Sequence, residues 1–107
     1  MTEYALVLST VPKKEQGEKI AKTLVEEKLA ACVTISGPSE SHYRWQQKLN
    51  RDQEYILFIK TRASLFEELE ARIRTLHPYQ VPEIIALPVI KGSSDYLRWI
   101  DEETKKQ

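Results

Sequence analysis

The chain has 107 residues, enough for one domain around one core, with 41% hydrophobic and 30% charged residues. Sixteen Lys and Arg balance sixteen Asp and Glu, so the chain lacks the cationic surplus that a duplex nucleic-acid binder needs. No apolar run approaches the roughly 18 residues of a membrane-spanning helix. The start, MTEYALVLST, has no basic region before its apolar run. The single cysteine, Cys32, cannot form an internal disulfide, so the expected compartment is the cytoplasm.

EYALVLST (3–10) is a short apolar run of the kind that forms a strand covered on both faces. From Lys13 to Leu29 the period changes. Ile20 and Leu24, and Ala21 and Val25, recur four apart, which predicts an amphipathic helix entered at Pro12. AACVTI (30–35) predicts a second strand, broken by Gly37-Pro38, after which SHYRW (41–45) resumes an extended pattern. NRD (50–52) reads as a polar turn before the strand EYILFIKT (54–61), making 31–61 one long hairpin with a bend in its first arm.

Ser64 and Glu67 have capping-box spacing, and the helix after them aligns Phe66, Leu69, Ile73 and Leu76 on one face. Glu68 with Arg72, and Glu70 with Arg74, are set to pair along the other. The helix must end by His77, because Pro78 disfavours helical angles in the residue before it. EIIALPVI (83–90) predicts a fourth strand that Pro88 confines to an edge or a bulge. Gly92 and Ser93 then introduce a terminal helix with Tyr96, Leu97 and Ile100 at helical spacing. The order β-α-β-β-α-β plus a helix predicts an α+β, ferredoxin-like domain over 1–107. Such a sheet has an uncovered second face and long edges, which invite association with further copies.

Catalytic signatures are missing. Three separated glycines build no phosphate loop, no Ser sits in a G-x-S-x-G turn, and neither H-E-x-x-H nor C-x-x-C occurs. EYILFIKT lacks the glycine and spacing of an RNA-recognition strand. STVPKKEQGE lacks the arginine-bearing anion loop of acylphosphatase-like enzymes. Cys32 reads as a small buried hydrophobe, His77 as a helix-end cap, and the aromatics as core or interface residues.

The segments LVEEKLAACVTI, YRW, LFIKT, LHPYQVPEII and SDYLRWI together resemble the CutA family of divalent-cation tolerance proteins over nearly the whole chain. The resemblance implies a non-enzymatic, ferredoxin-like subunit in a tight homotrimer, its long hairpin reaching into neighbouring subunits. It links the chain to copper and other divalent cations, with no cofactor required. Some relatives carry a cysteine near the end of the first strand and paired histidines before Pro-Tyr. This chain has Ser9 and Leu76 there, leaving His77, with Cys32 as the other candidate metal ligand. W-x-G-K of the family is WQQK here, with Gln47 in place of glycine. The trimer is similar to PII signalling proteins, which bind small molecules between subunits. That likeness points to an intersubunit cleft lined by Tyr43, Trp45, Lys60, Tyr79, Glu83 and Trp99, in a sensor or an adaptor or scaffold trimer. No nucleic-acid or membrane partner is expected.

Overall fold

A computed structural model describes residues 3–106, so the ends of the expected 1–107 domain lie outside the described residues. Strand β1 (Tyr4–Val11) is followed by helix α1 (Lys14–Glu26) and by strands β2 (Cys32–Trp45) and β3 (Lys48–Arg62). Helix α2 (Phe66–Leu76), strand β4 (Ile85–Pro88) and helix α3 (Ser94–Glu103) complete the order. The sheet runs β2-β3-β1-β4 with every neighbouring pair antiparallel, which is the ferredoxin-like arrangement.

Strict alternation along β1 decides which face is dry. Ala5, Val7, Ser9 and Val11 are buried, whereas Tyr4, Leu6, Leu8 and Thr10 are only partly so. Val7 and Val11 join Leu57 and Ile59 of β3 beneath Ile20 and Leu24 of α1 and Leu69 and Ile73 of α2. Burying each such side chain contributes about 1.5–3 kcal/mol against chain entropy, so this layer carries most of the stability. Gly17 lets α1 come close to the sheet, since a Cβ there would lie 3.1 Å from Val11 and 3.2 Å from Leu57.

α1 stops earlier than expected, at Glu26 rather than Leu29. Lys28 takes the left-handed conformation (φ 60°), while the Leu29 and Lys28 N–H groups bond back to Leu24 and Val25. This Schellman closure is one that a glycine usually signals. Val25, still within α1 but turned away from the face of Ile20 and Leu24, is exposed. The capping box is not formed either. Ser64 lies inside a 3-10 turn (Ala63–Leu65), and no side chain caps α2. Glu70–Arg74 pairs at 3.4 Å as expected, but Arg72 turns to Glu27 (2.9 Å) and Glu68 to Lys105 (2.6 Å). Tertiary partners thus replace one of the two local pairs.

The hairpin departs from expectation in two places. Gly37-Pro38 does not break β2; it makes a bulge between Ser36 and Ser39, with Gly37 at φ 145°, and the strand runs on to Trp45. The reversal is at Gln46–Gln47 rather than at 50–52, because Asn50, Arg51 and Asp52 pair with Tyr43, His42 and Ser41 inside the ladder. Polar residues misled the reading here because this ribbon is solvated and needs no apolar alternation. Both turn residues have positive φ (51° and 67°), the geometry for which Asn-Gly is the usual sequence.

The fourth strand shortens to Ile85–Pro88, and Pro88 sits on an edge as expected. Ser93 caps α3 by accepting the Tyr96 N–H at 3.3 Å. α3 docks at one end of the sheet, where Tyr4 donates to Asp101 (2.7 Å) and Arg62 to Thr104 (2.8 Å). The sheet's second face thus presents Leu6, Leu8 and Phe58 beside exposed Ile85 and Leu87, which the strand register aligns with Leu8 and Leu6.

Candidate functional site

Pro78 ends α2 and leaves His77 extended (φ −84°, ψ 138°). The imidazole turns away from its own helix toward β1. Its Nε2 lies 2.6 Å from the Thr10 carbonyl, which can only accept, and its Nδ1 accepts the Tyr79 N–H at 3.1 Å. The ring is therefore the neutral Nε2–H tautomer with both nitrogens occupied. Its close, tilted contact with the Tyr79 ring (4.9 Å between centroids) aims that phenol across the sheet.

The Tyr79 hydroxyl donates to Glu54 Oε2 at 2.8 Å, and Glu54 is only 7% exposed. Burial first, and the Glu54 carboxylate second, push the Tyr79 phenol far above its ordinary range. Further along the hairpin the Tyr43 hydroxyl donates to Asp52, a bond that raises the Tyr43 pKa. Between these groups lies a cleft of about 510 Å³ lined by Thr10, Ser41, His42, Tyr43, Trp45, Glu54, Tyr79, Val81 and Glu83. No lysine or arginine is among them.

Of the six residues expected to share a cleft, Tyr43, Trp45, Tyr79 and Glu83 line this one. Lys60 does not. It lies mid-sheet, where its ammonium donates to Thr34 Oγ1 at 2.8 Å and sits 3.8 Å from Cys32 Sγ. Trp99 packs its ring against Tyr96 on α3 (5.4 Å). The sequence reading missed Glu54, taken only as the start of a strand. Its parity with Ile56, Phe58 and Lys60 puts it on the face opposite Leu57 and Ile59, where a lone charge ordinarily meets solvent, so no local signal marked it.

His77 and Cys32 are not brought together. Strand spacing puts Thr10, which His77 holds, on the order of 15 Å from Cys32, four residues along the sheet and two strands over. With both His77 nitrogens engaged, copper ligation by this pair does not fit the residues present. Ser9 lies buried with its Oγ unpartnered, and no group of three His, Cys, Asp or Glu side chains poised for a metal occurs among the described residues.

The family model described as CutA1 divalent ion tolerance protein matches residues 5–103. The chain belongs to the CutA1 family. A Thermus thermophilus relative named divalent-cation tolerance protein CutA is 50% identical over 92% of this chain and 96% of its own. The chloroplastic CutA of Arabidopsis thaliana is 48% identical over 94% of this chain, which spans only 55% of that protein. A solved Archaeoglobus fulgidus structure titled periplasmic divalent cation tolerance protein CutA superposes with a TM-score of 0.92. It is 37% identical and covers 95% of this chain and 99% of its own. CutA proteins named for the chloroplast and the periplasm overturn the expectation of a cytoplasmic home, since the family is not tied to that compartment. A lone cysteine is equally at ease wherever no disulfide is needed. Among the described residues no helix is long and apolar enough to cross a membrane.

Proposed function

We propose that this CutA-family chain acts as a non-enzymatic homotrimer in tolerance of divalent metal ions, copper or another divalent cation, by binding rather than by catalysis. The observation that carries the reading is the apolar sheet face of Leu6, Leu8 and Phe58 with exposed Ile85 and Leu87, bordered by the short edge strand β4. Apolar surface of this kind marks an interaction site, and copies of the chain itself are the simplest cover. The hairpin adds exposed Trp45 and Leu49 at its tip, placed to reach a neighbouring subunit. Metal response on this reading belongs to the assembled protein, since a single chain offers no preformed chelate of His77 with Cys32.

Native mass spectrometry during a Cu²⁺ titration tests the reading on wild type, His77→Ala and Cys32→Ser. The expected result is a trimer that takes up copper with a fixed stoichiometry. Unchanged uptake in either variant removes that residue from the metal site. A chain that stays monomeric and takes up no copper contradicts the reading.

The cleft supports a second reading, that of a PII-like sensor or adaptor whose small-molecule site lies between subunits. Glu54 favours it, because a buried carboxylate at the floor of an open cleft is costly to a purely structural scaffold. A protein partner that receives the signal would then read the occupied state.

A further inference from the structure

Building on the reading of the cleft as a small-molecule site, we propose that it binds a small organic cation. The ligand class is an ammonium or guanidinium carried on a compact apolar body, seated over Glu54 and between the rings of Tyr43, Trp45 and Tyr79. Four observations point to it.

The first is charge. Glu54 is nine-tenths buried, receives the Tyr79 hydroxyl, and has no Lys, Arg or His ion-pair partner among the described residues. Taking a carboxylate out of water without a counter-charge is unfavourable, and a bound cation would offset that cost. Glu83 adds a second carboxylate to the lining, which holds no lysine or arginine, and its one imidazole, His42, is engaged by Glu40.

The second is the wall. Three aromatic rings line the cleft, and ring faces attract cations, with tryptophan the best of them. Tyr79 is tied by its hydroxyl to Glu54 and Tyr43 by its hydroxyl to Asp52. Two of the rings are thus fixed before a ligand arrives, which lowers the cost of ordering them.

The third is size. About 510 Å³ falls within the roughly 300–1,000 Å³ of typical ligand sites. A bare metal ion would leave most of that space unfilled.

The fourth is the donor set, which separates the candidate ligand classes. A hard divalent ion seeks six or more oxygens, whereas Glu54 already has one oxygen committed to Tyr79 and the Tyr43 and Tyr79 hydroxyls are both tied to carboxylates. An anion would find two carboxylates, no lysine or arginine, and an imidazole already engaged by Glu40. An organic cation uses both the carboxylates and the ring faces.

Benzyltrimethylammonium is a suitable probe, compared with benzyl alcohol (neutral) and benzenesulfonate (anionic) by isothermal calorimetry on the full chain. The cation should bind at least tenfold more tightly than the alcohol, and the sulfonate should not bind. Glu54→Gln, which keeps an acceptor for Tyr79, should weaken the cation at least tenfold. Trp45→Ala, at an exposed position that the core does not use, should weaken it severalfold. Circular dichroism should stay as in wild type for both variants, and native mass should stay as in wild type for Glu54→Gln. Equal binding of cation and alcohol, unaffected by Glu54→Gln, would overturn the cation assignment while leaving a small-molecule cleft. If none of the three probes binds, the cleft reading falls with it.

Discussion

The two halves of the long β2–β3 hairpin obey different physics. Near the helices, Leu57, Ile59 and Thr61 are fully buried, and the Thr61 hydroxyl donates to the Leu29 carbonyl at 2.6 Å. Beyond the Ser36–Ser39 bulge, Tyr43, Trp45 and Leu49 stand in solvent and the ladder is held by backbone pairing and exposed polar contacts. The same two strands are thus a core element at one end and a surface tool at the other. Stability is concentrated where the helices lie, and the proposed recognition falls to the arm and to the loop from His77 to Glu83.

Substitutions should separate the halves. Ile73→Ala, in the sealed layer, is expected to cost about 2–5 kcal/mol in chemical denaturation, since the deleted atoms leave a cavity. Leu49→Ala, equally apolar but 79% exposed, should change the stability of the isolated fold by no more than about 0.5 kcal/mol. If the two changes cost the same, the hairpin tip is part of the core and the division fails.

His77 sits at the seam between the halves. His77→Ala removes the donor to Thr10 and the acceptor for Tyr79 together, and should cost about 1–3 kcal/mol. Amide exchange at Tyr79 should quicken with it. A stable variant with an unchanged Tyr79 amide would show that the ring does not hold the loop.

At the tip the direction reverses. Gln47 occupies a left-handed position at φ 67°, so Gln47→Gly should relieve backbone strain. The greater freedom of glycine in the unfolded chain offsets part of that relief, leaving a gain of up to about 1 kcal/mol in denaturation midpoint analysis.

The smallest effect belongs to the surface pair of Glu27 and Arg72. Its hydrogen bond to Arg72 holds the Glu27 carboxyl below its ordinary value of 4.5. A depressed acid favours the fold above its unfolded pKa, so this contribution is present above about pH 4.5 and fades as pH falls through the lowered value. Salt should weaken it. Glu27→Gln should flatten that part of the pH–stability curve, and an unchanged curve would remove the pair from the account.

Much of this was legible in the residues. The period change between β1 and α1, the face of Leu69 and Ile73, the stop at Pro78 and the edge placement of Pro88 all follow from local rules that tertiary structure did not disturb. The turn at Gln46–Gln47 was not legible because neither residue carries the usual left-handed signal. Ser64–Glu67 looked like a cap, but a 3-10 turn took its place. Glu54 was hidden for a different reason: its importance comes from Tyr79, twenty-five positions away, reaching across the sheet. No local pattern encodes that contact. That the candidate metal ligands His77 and Cys32 lie apart on the sheet of one chain was likewise written in no local pattern.

The central claim is that the apolar second face of the sheet is completed by other copies of the chain. Sedimentation equilibrium at micromolar concentration tests it most directly, on wild type and on the double variant Ile85→Asp, Leu87→Asp. The account predicts a wild-type mass three times the 12.5 kDa of one chain, and a lower mass for the double variant. A wild type that sediments at the mass of a single chain would contradict it.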